Sequence, residues 1–172
     1  MIPPDRLDLA DGPRDGDSRR PQPSLHDHSD RHPASTEDLA FLNRLLERAL
    51  PRILDAPGVA ESVLRPLEDV EISLVDDEAI AAVHGDFLDD PTPTDVITFH
   101  HGEILVSVET AAREAAARGG PALRETALYL IHGLLHLHGH TDADPELRAV
   151  MHEVQDRILD DVWPPDAPSG TL

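Results

Sequence analysis

Cysteine and lysine are both absent from the 172 residues, so all 14 basic residues are arginine. Without cysteine the chain has no disulfide and no thiolate metal site. Aromatic residues make up only 3%, which leaves Ala, Leu, Val and Ile to build a core. No apolar run approaches the ~18 residues a membrane span needs. The opening Met-Ile-Pro-Pro-Asp has no basic stretch followed by an apolar one, so a soluble cytoplasmic protein without a membrane partner is expected. Positive charge is also scarce, at 14 basic against 34 acidic residues and a net charge of −20. A surface of that sign repels phosphates and gains nothing from counterion release, which excludes a general electrostatic binder of nucleic acid, DNA included. A local metal-lined or cationic cleft stays open. The excess acid also suits a protein kept soluble in concentrated salt.

One modest domain fits the length. Residues 1–34 hold six prolines among alternating Asp and Arg, with almost nothing apolar after Leu9, and are expected to form a disordered tail. His26, His28 and His32 lie in that tail, where no scaffold would pre-organise them as ligands. Order is expected over 35–162. Ser35 caps a predicted helix whose apolar positions Leu39, Phe41, Leu42, Leu45, Leu46 and Leu50 recur at helical spacing, with Pro51 bending or ending it. Val70 to Val75 alternates as a half-buried strand, Asp76 or Asp77 opens a short helix, and Thr94 to Phe99 reads as a second strand. His100-His101-Gly102 is a turn before a third strand, Glu103 to Val108, in which the adjacent Ile104 and Leu105 predict burial on both faces. An alanine-rich helix, Glu109 to Arg118, stops at Gly119-Gly120-Pro121. Ala122 to His138 is a helix apolar nearly all round, hence central, and Pro145 to about Asp161 is a last amphipathic helix. Residues 163–172, with three prolines, are expected to be a frayed tail. The fold class is therefore α+β, a small mixed sheet covered by helices with a zincin-like histidine helix at the centre.

The chemistry concentrates in His132-Gly-Leu-Leu-His136-Leu-His138-Gly139-His140-Thr-Asp142. Histidines at i and i+4 project about 40° apart, so His132 and His136 can offer imidazoles to one ion, and nitrogen ligands suit zinc or a similar divalent metal. The third ligand must come from beyond Gly139. Asp142 approaches if the glycine terminates the helix, whereas His140 faces the same side only if the helix runs on unbroken. His138, two residues from His136, points elsewhere and reads as structural or solvated. Two ionisable rings on an otherwise apolar helix would be costly without a partner, which favours a metal over a chance pair. A zinc-protease reading fails at Gly133, where the H-E-x-x-H motif needs a glutamate base. No side-chain base is assigned, and the nucleophile is expected to be metal-bound water.

These residues resemble the YbeY endoribonuclease family, whose helix motif H-G-x-L-H-L-x-G matches 132–139 as HGLLHLHG. Leu74-Val75-Asp76-Asp77-Glu78, Pro93-Thr94-Asp95-Val96-Ile97-Thr98-Phe99 and Gly102-Glu103-Ile104-Leu105-Val106-Ser107 look like further motifs of that family, in the family's order, over about 36–161. The resemblance implies a single-strand-specific, metal-dependent endoribonuclease of ribosomal RNA maturation, acting at the 3′ end of small-subunit RNA (16S rRNA) and in ribosome quality control. Single-stranded rRNA and the small ribosomal subunit are the implied partners, and one Zn2+ per chain the implied cofactor. The family's metal ligands fall on His132, His136 and, in place of a usual histidine, Asp142, while Thr94 and Asp95 fall on its substrate cleft. An arginine that many members carry before the P-T-D-V segment falls on Leu88. Charge for the phosphate must then come from the metal or another arginine, with Arg113, Arg118 and Arg124 as candidates and His100 and His101 as possible cleft neighbours. The alternative reading is a ribosome-assembly factor whose metal is structural and whose nuclease activity is weak or absent.

Overall fold

In a computed structural model that describes residues 20–58, 60–170 and 172, the chain pairs four strands with five helices. Helix α1 (Thr36–Asp55) starts on a reciprocal capping box. Asp38 N donates to Ser35 Oγ at 3.0 Å while Ser35 N donates to Asp38 Oδ2 at 3.3 Å. Its stripe of Phe41, Leu42, Leu45, Leu46, Ala49, Leu50 and Ile53 is buried. Of the two outcomes expected of Pro51, a bend or an end, it does not end the helix, which runs on to Asp55. The burial of Ile53 holds one more turn, and Ala56 N closes it by donating to the Arg52 and Ile53 carbonyls at 3.1 Å.

The sheet runs β1-β2-β4-β3, from β1 (Gln22–Asp27), β2 (Asp69–Val75), β3 (Val96–Phe99) and β4 (Glu103–Ser107). β2 is parallel to both β1 and β4, and β3 is antiparallel to β4, so the sheet is mixed as expected. Ile104 packs into the main core and Leu105 into a smaller cluster with Val75 and Ile80, so β4 is buried on both faces. The second cluster lies under α2 (Asp77–Leu88).

Strand β1 corrects the expectation of a disordered tail through residue 34, while residues 1–19 lie outside the described residues. Leu25 is its one buried apolar side chain, opposite Ile72, and backbone bonds such as Gln22 N to Glu68 O at 2.8 Å and His28 N to Leu74 O at 2.9 Å secure it. Beyond the strand, the Asp27 carboxylate accepts from Ser29 N at 3.0 Å and Ala34 N at 2.7 Å, folding the chain toward the α1 cap. An edge strand held mainly by its backbone leaves little hydrophobic pattern to read.

Helices α3 (Val108–Arg118), α4 (Ala122–Leu137) and α5 (Pro145–Val162) follow. α4 packs against α1, α3, α5 and the sheet, which accounts for its nearly all-round apolar surface. Gly133 marks its close approach to the sheet, because a Cβ there would lie 2.8 Å from Ile104 Cγ2. The final segment is not frayed as expected. Trp163 meets Phe41 edge-on at 5.3 Å between ring centroids, and Ala167 and Leu172 pack on the core.

Candidate metal centre

The end of α4 sets the site. His140 N donates to Leu135 O and Gly139 N to His136 O, both at 3.0 Å, with Gly139 at a φ of 95°, which is a Schellman turn. The loop before β2 seals this end. Val63 N and Leu64 N both donate to Leu137 O at 2.9 Å, and any Cβ on Gly139 would collide with the Ala60 carbonyl. Glycine therefore ends the helix here and turns the chain back toward the histidines.

The returning chain brings Asp142 to the pair. Ligand atoms of His132, His136 and Asp142 all lie within 4.8 Å of one another, the one such grouping of metal-binding side chains among the described residues. The imidazole of His140 goes elsewhere: it is buried near the His138 ring, 6.2 Å between centroids. What His140 contributes is its backbone carbonyl, which accepts from His136 Nδ1 at 3.2 Å. His132 Nδ1 donates to Gln155 Oε1 of α5 at 2.8 Å. Both rings thus spend their Nδ1 protons on outer partners.

With both Nδ1 atoms donating, the neutral rings present bare Nε2 lone pairs, and these face each other at 3.0 Å. Two lone pairs at that distance repel unless a cation lies against them. Burial, and next the neighbouring His136, hold His132 below the ordinary histidine pKa, against the Gln155 hydrogen bond and the Asp95 and Asp142 carboxylates. Burial thus disfavours a charged His132, and two imidazoles with a carboxylate form a donor set suited to zinc. The set fits a divalent metal.

A cleft of about 830 Å³ opens beside the triad, lined among others by Thr94, Asp95, His100, Arg148 and His152. Thr94 Oγ1 donates to Asp95 Oδ1 at 3.0 Å, and Val96 N to the same oxygen at 2.9 Å, which fixes this wall at the start of β3. His101 turns away to Glu103, at 3.1 Å. His138 is structural: its Nε2 donates to Ala56 O at 3.0 Å and its Nδ1 accepts from Ser62 Oγ at 2.9 Å.

The three candidate arginines are all committed to carboxylates. Arg113 pairs with Asp77 at 2.5 Å, Arg118 with Glu125 at 2.5 Å and Glu114 at 3.1 Å, and Arg124 with Asp160 at 2.7 Å. Leu88 is the last residue of α2. Sequence reasoning missed Gln155, His152 and Arg148. Their spacing on α5 is helical, but nothing in an amphipathic pattern says which polar stripe meets the histidines.

The family model described as Endoribonuclease YbeY matches residues 29–162. The chain is similar to the endoribonuclease YbeY of Heliobacterium modesticaldum, 36% identical over 122 residues, covering 58% of this chain and 74% of that protein. It is 33% identical over 127 residues to the endoribonuclease YbeY of Mycobacterium tuberculosis, covering 63% and 71%. The solution structure of TM1509 from Thermotoga maritima shares its fold, with a TM-score of 0.53 at 22% identity over 81% of this chain and 89% of that one. With a mixed sheet, a buried histidine helix and a family match over most of its length, the chain belongs to the YbeY endoribonuclease family.

Proposed function

We propose that this protein is a metal-dependent endoribonuclease that cuts single-stranded RNA during ribosomal RNA maturation, at the 3′ end of small-subunit RNA, and in ribosome quality control. It works in the cytoplasm on the small ribosomal subunit. One observation carries the reading: two opposed imidazole lone pairs and the Asp142 carboxylate converge at the side of an open cleft. His132, His136 and Asp142 would hold one zinc ion. When bound, such an ion supplies Lewis acidity and brings the pKa of a water toward neutrality.

The protein's own groups do the rest. Gln155 and the His140 carbonyl hold each ring in the tautomer that leaves Nε2 free. Thr94 and Asp95 line the same cleft, and the RNA strand would lie against them. Gly133 supplies no base, and no room exists for one, because the helix meets Ile104 there.

The second reading, an assembly factor with a structural metal, calls for a closed site of four protein ligands. The described residues bring three ligand atoms together, beside a cleft, and this favours catalysis. The test is His136→Ala. Zinc content should fall from one per chain, cleavage of a single-stranded RNA should be lost, and circular dichroism should be retained. Undiminished cleavage by the metal-stripped variant would overturn the reading. Cleavage of naked single-stranded RNA by the purified zinc-loaded wild-type protein, without ribosomes, separates it from the assembly-factor alternative, which calls for weak cleavage or none.

A further inference from the structure

The nuclease reading asks a phosphodiester to enter a cleft whose metal ligands carry no positive charge of their own, in a chain of net charge −20. A cation is needed there to offset the charge that grows on the phosphate oxygens. Arg113, Arg118 and Arg124 have theirs matched by carboxylates, as described above. One arginine differs. Arg148 lines the cleft together with His132, His136, Asp142 and Thr94, and no carboxylate of a described residue lies within ion-pair distance of it.

Its guanidinium is nevertheless held in place. Nε and Nη2 donate to the backbone carbonyl of Asp142 at 3.3 and 3.0 Å. A carbonyl orients the group without cancelling its charge, and a guanidinium has five N–H donors, so the outer fork stays available. The α5 N-terminus fixes the rest. Asp144 caps it by accepting from Glu146 N and Leu147 N at 3.0 Å, and Arg148 N makes its helical bond to Asp144 O at 2.9 Å. From there Arg148, His152 and Gln155 follow one another about a turn apart along the cleft side of α5. Gln155 touches His132, and the His152 ring lies 6.5 Å from the His132 ring.

We propose that Arg148 is the phosphate-binding cation of this cleft, its guanidinium engaging the oxygens of the RNA phosphodiester beside the His132, His136 and Asp142 group. The proposal rests on the nuclease reading for its substrate. Fixing the guanidinium on the carbonyl of Asp142 itself ties the phosphate contact to the position of the third ligand. It also confines attraction for RNA to one point of an otherwise repelling surface.

The test uses the full-length, zinc-loaded protein and a labelled single-stranded RNA oligonucleotide. Arg148→Ala should lower kcat/KM about 10- to 100-fold, the range of a lost charge-assisted contact, at unchanged zinc content and circular dichroism. The inverse salt slope of binding should fall by about 0.7, the value for one phosphate contact to a single strand. Arg148→Lys should recover part of the loss, and Arg52→Ala, which removes the same charge from an exposed pair with Asp161 outside the cleft lining, should change neither quantity. Binding is read in parallel by anisotropy on the same oligonucleotide with 2′-O-methyl riboses. If the wild-type protein fails to cut, the nuclease reading fails, while the Arg148 contact is still decided by that binding series. Arg148→Ala with wild-type affinity and salt slope, or with loss of zinc in step with loss of activity, overturns the proposal.

Discussion

His132 of α4 and Gln155 of α5 are joined by a 2.8 Å hydrogen bond from Nδ1 to Oε1, with Gln155 buried and His132 half-buried. The bond sets the tautomer of one metal-binding ring from a different helix. Gln155→Ala is expected to weaken zinc binding about 10- to 100-fold while leaving the fold intact. Competition with a fluorescent chelator measures it, and an unchanged affinity would show that the ring is held by packing alone.

Removal of the metal should also register as stability. The triad forms only when α4 and the loop after Gly139 are folded, so an ion bound there stabilises the native state. At an ion concentration about 100-fold above Kd the gain is about 2.7 kcal/mol. Thermal melts with and without chelator should therefore differ by several degrees in the wild-type protein and by little in His132→Ala.

A pH effect follows from His138 and His140. Burial pushes both below the ordinary histidine value of 6.5. The unfolded chain therefore takes up these protons first on acidification. Their neutral-state stability is fully present above about pH 6.5 and declines as the pH falls below it. Urea melts between pH 7 and pH 5 should show this loss, and His138→Gln should flatten the dependence.

Asp77 gathers Ser107 Oγ at 2.5 Å, Thr110 Oγ1 at 2.9 Å and the Arg113 guanidinium at 2.5 Å, latching α2 onto α3. Burial pushes its carboxyl up, but these hydrogen bonds and the Arg113 charge together hold it below the usual carboxylate value. Asp77→Ala is expected to cost about 1–3 kcal/mol by stranding its donors. Arg124→Ala, which breaks an exposed pair with Asp160, should cost no more than about 1 kcal/mol of ion pairing. Parallel denaturant melts compare the two.

Trp163 is the one tryptophan, and its edge contact with Phe41 anchors the C-terminal segment. Its fluorescence should report docking of that segment. Deleting residues 164–172 should red-shift the emission and lower the midpoint of unfolding, and an unshifted spectrum would contradict the packing.

Periodicity and special residues explain which parts were readable in advance. The apolar stripe from Phe41 to Ile53, the pair Ile104-Leu105 and the all-round apolar α4 each announce a burial environment, because side-chain spacing maps directly onto a helix or strand face. His132 and His136 were legible for the same reason, being one turn apart on one element. Strand β1 was not, since its partner Asp69–Val75 lies some forty residues away and backbone bonds do most of the holding. Pro51 does not stop α1, because its missing donor is a local cost that burial of Ile53 outweighs.

The histidine pair, the helix-ending glycine, the absence of a base at position 133 and the family are all properties of neighbouring residues, and the amino-acid order determines them alone. Other features are decided only when distant elements meet. The turn at Gly139 brings Asp142 to the pair and buries the His140 ring, Gln155 and Arg148 arrive from α5, and three arginines lose their free charge to carboxylates. A site built from several elements depends on distances in space, and sequence separation carries no information about those until the core has packed.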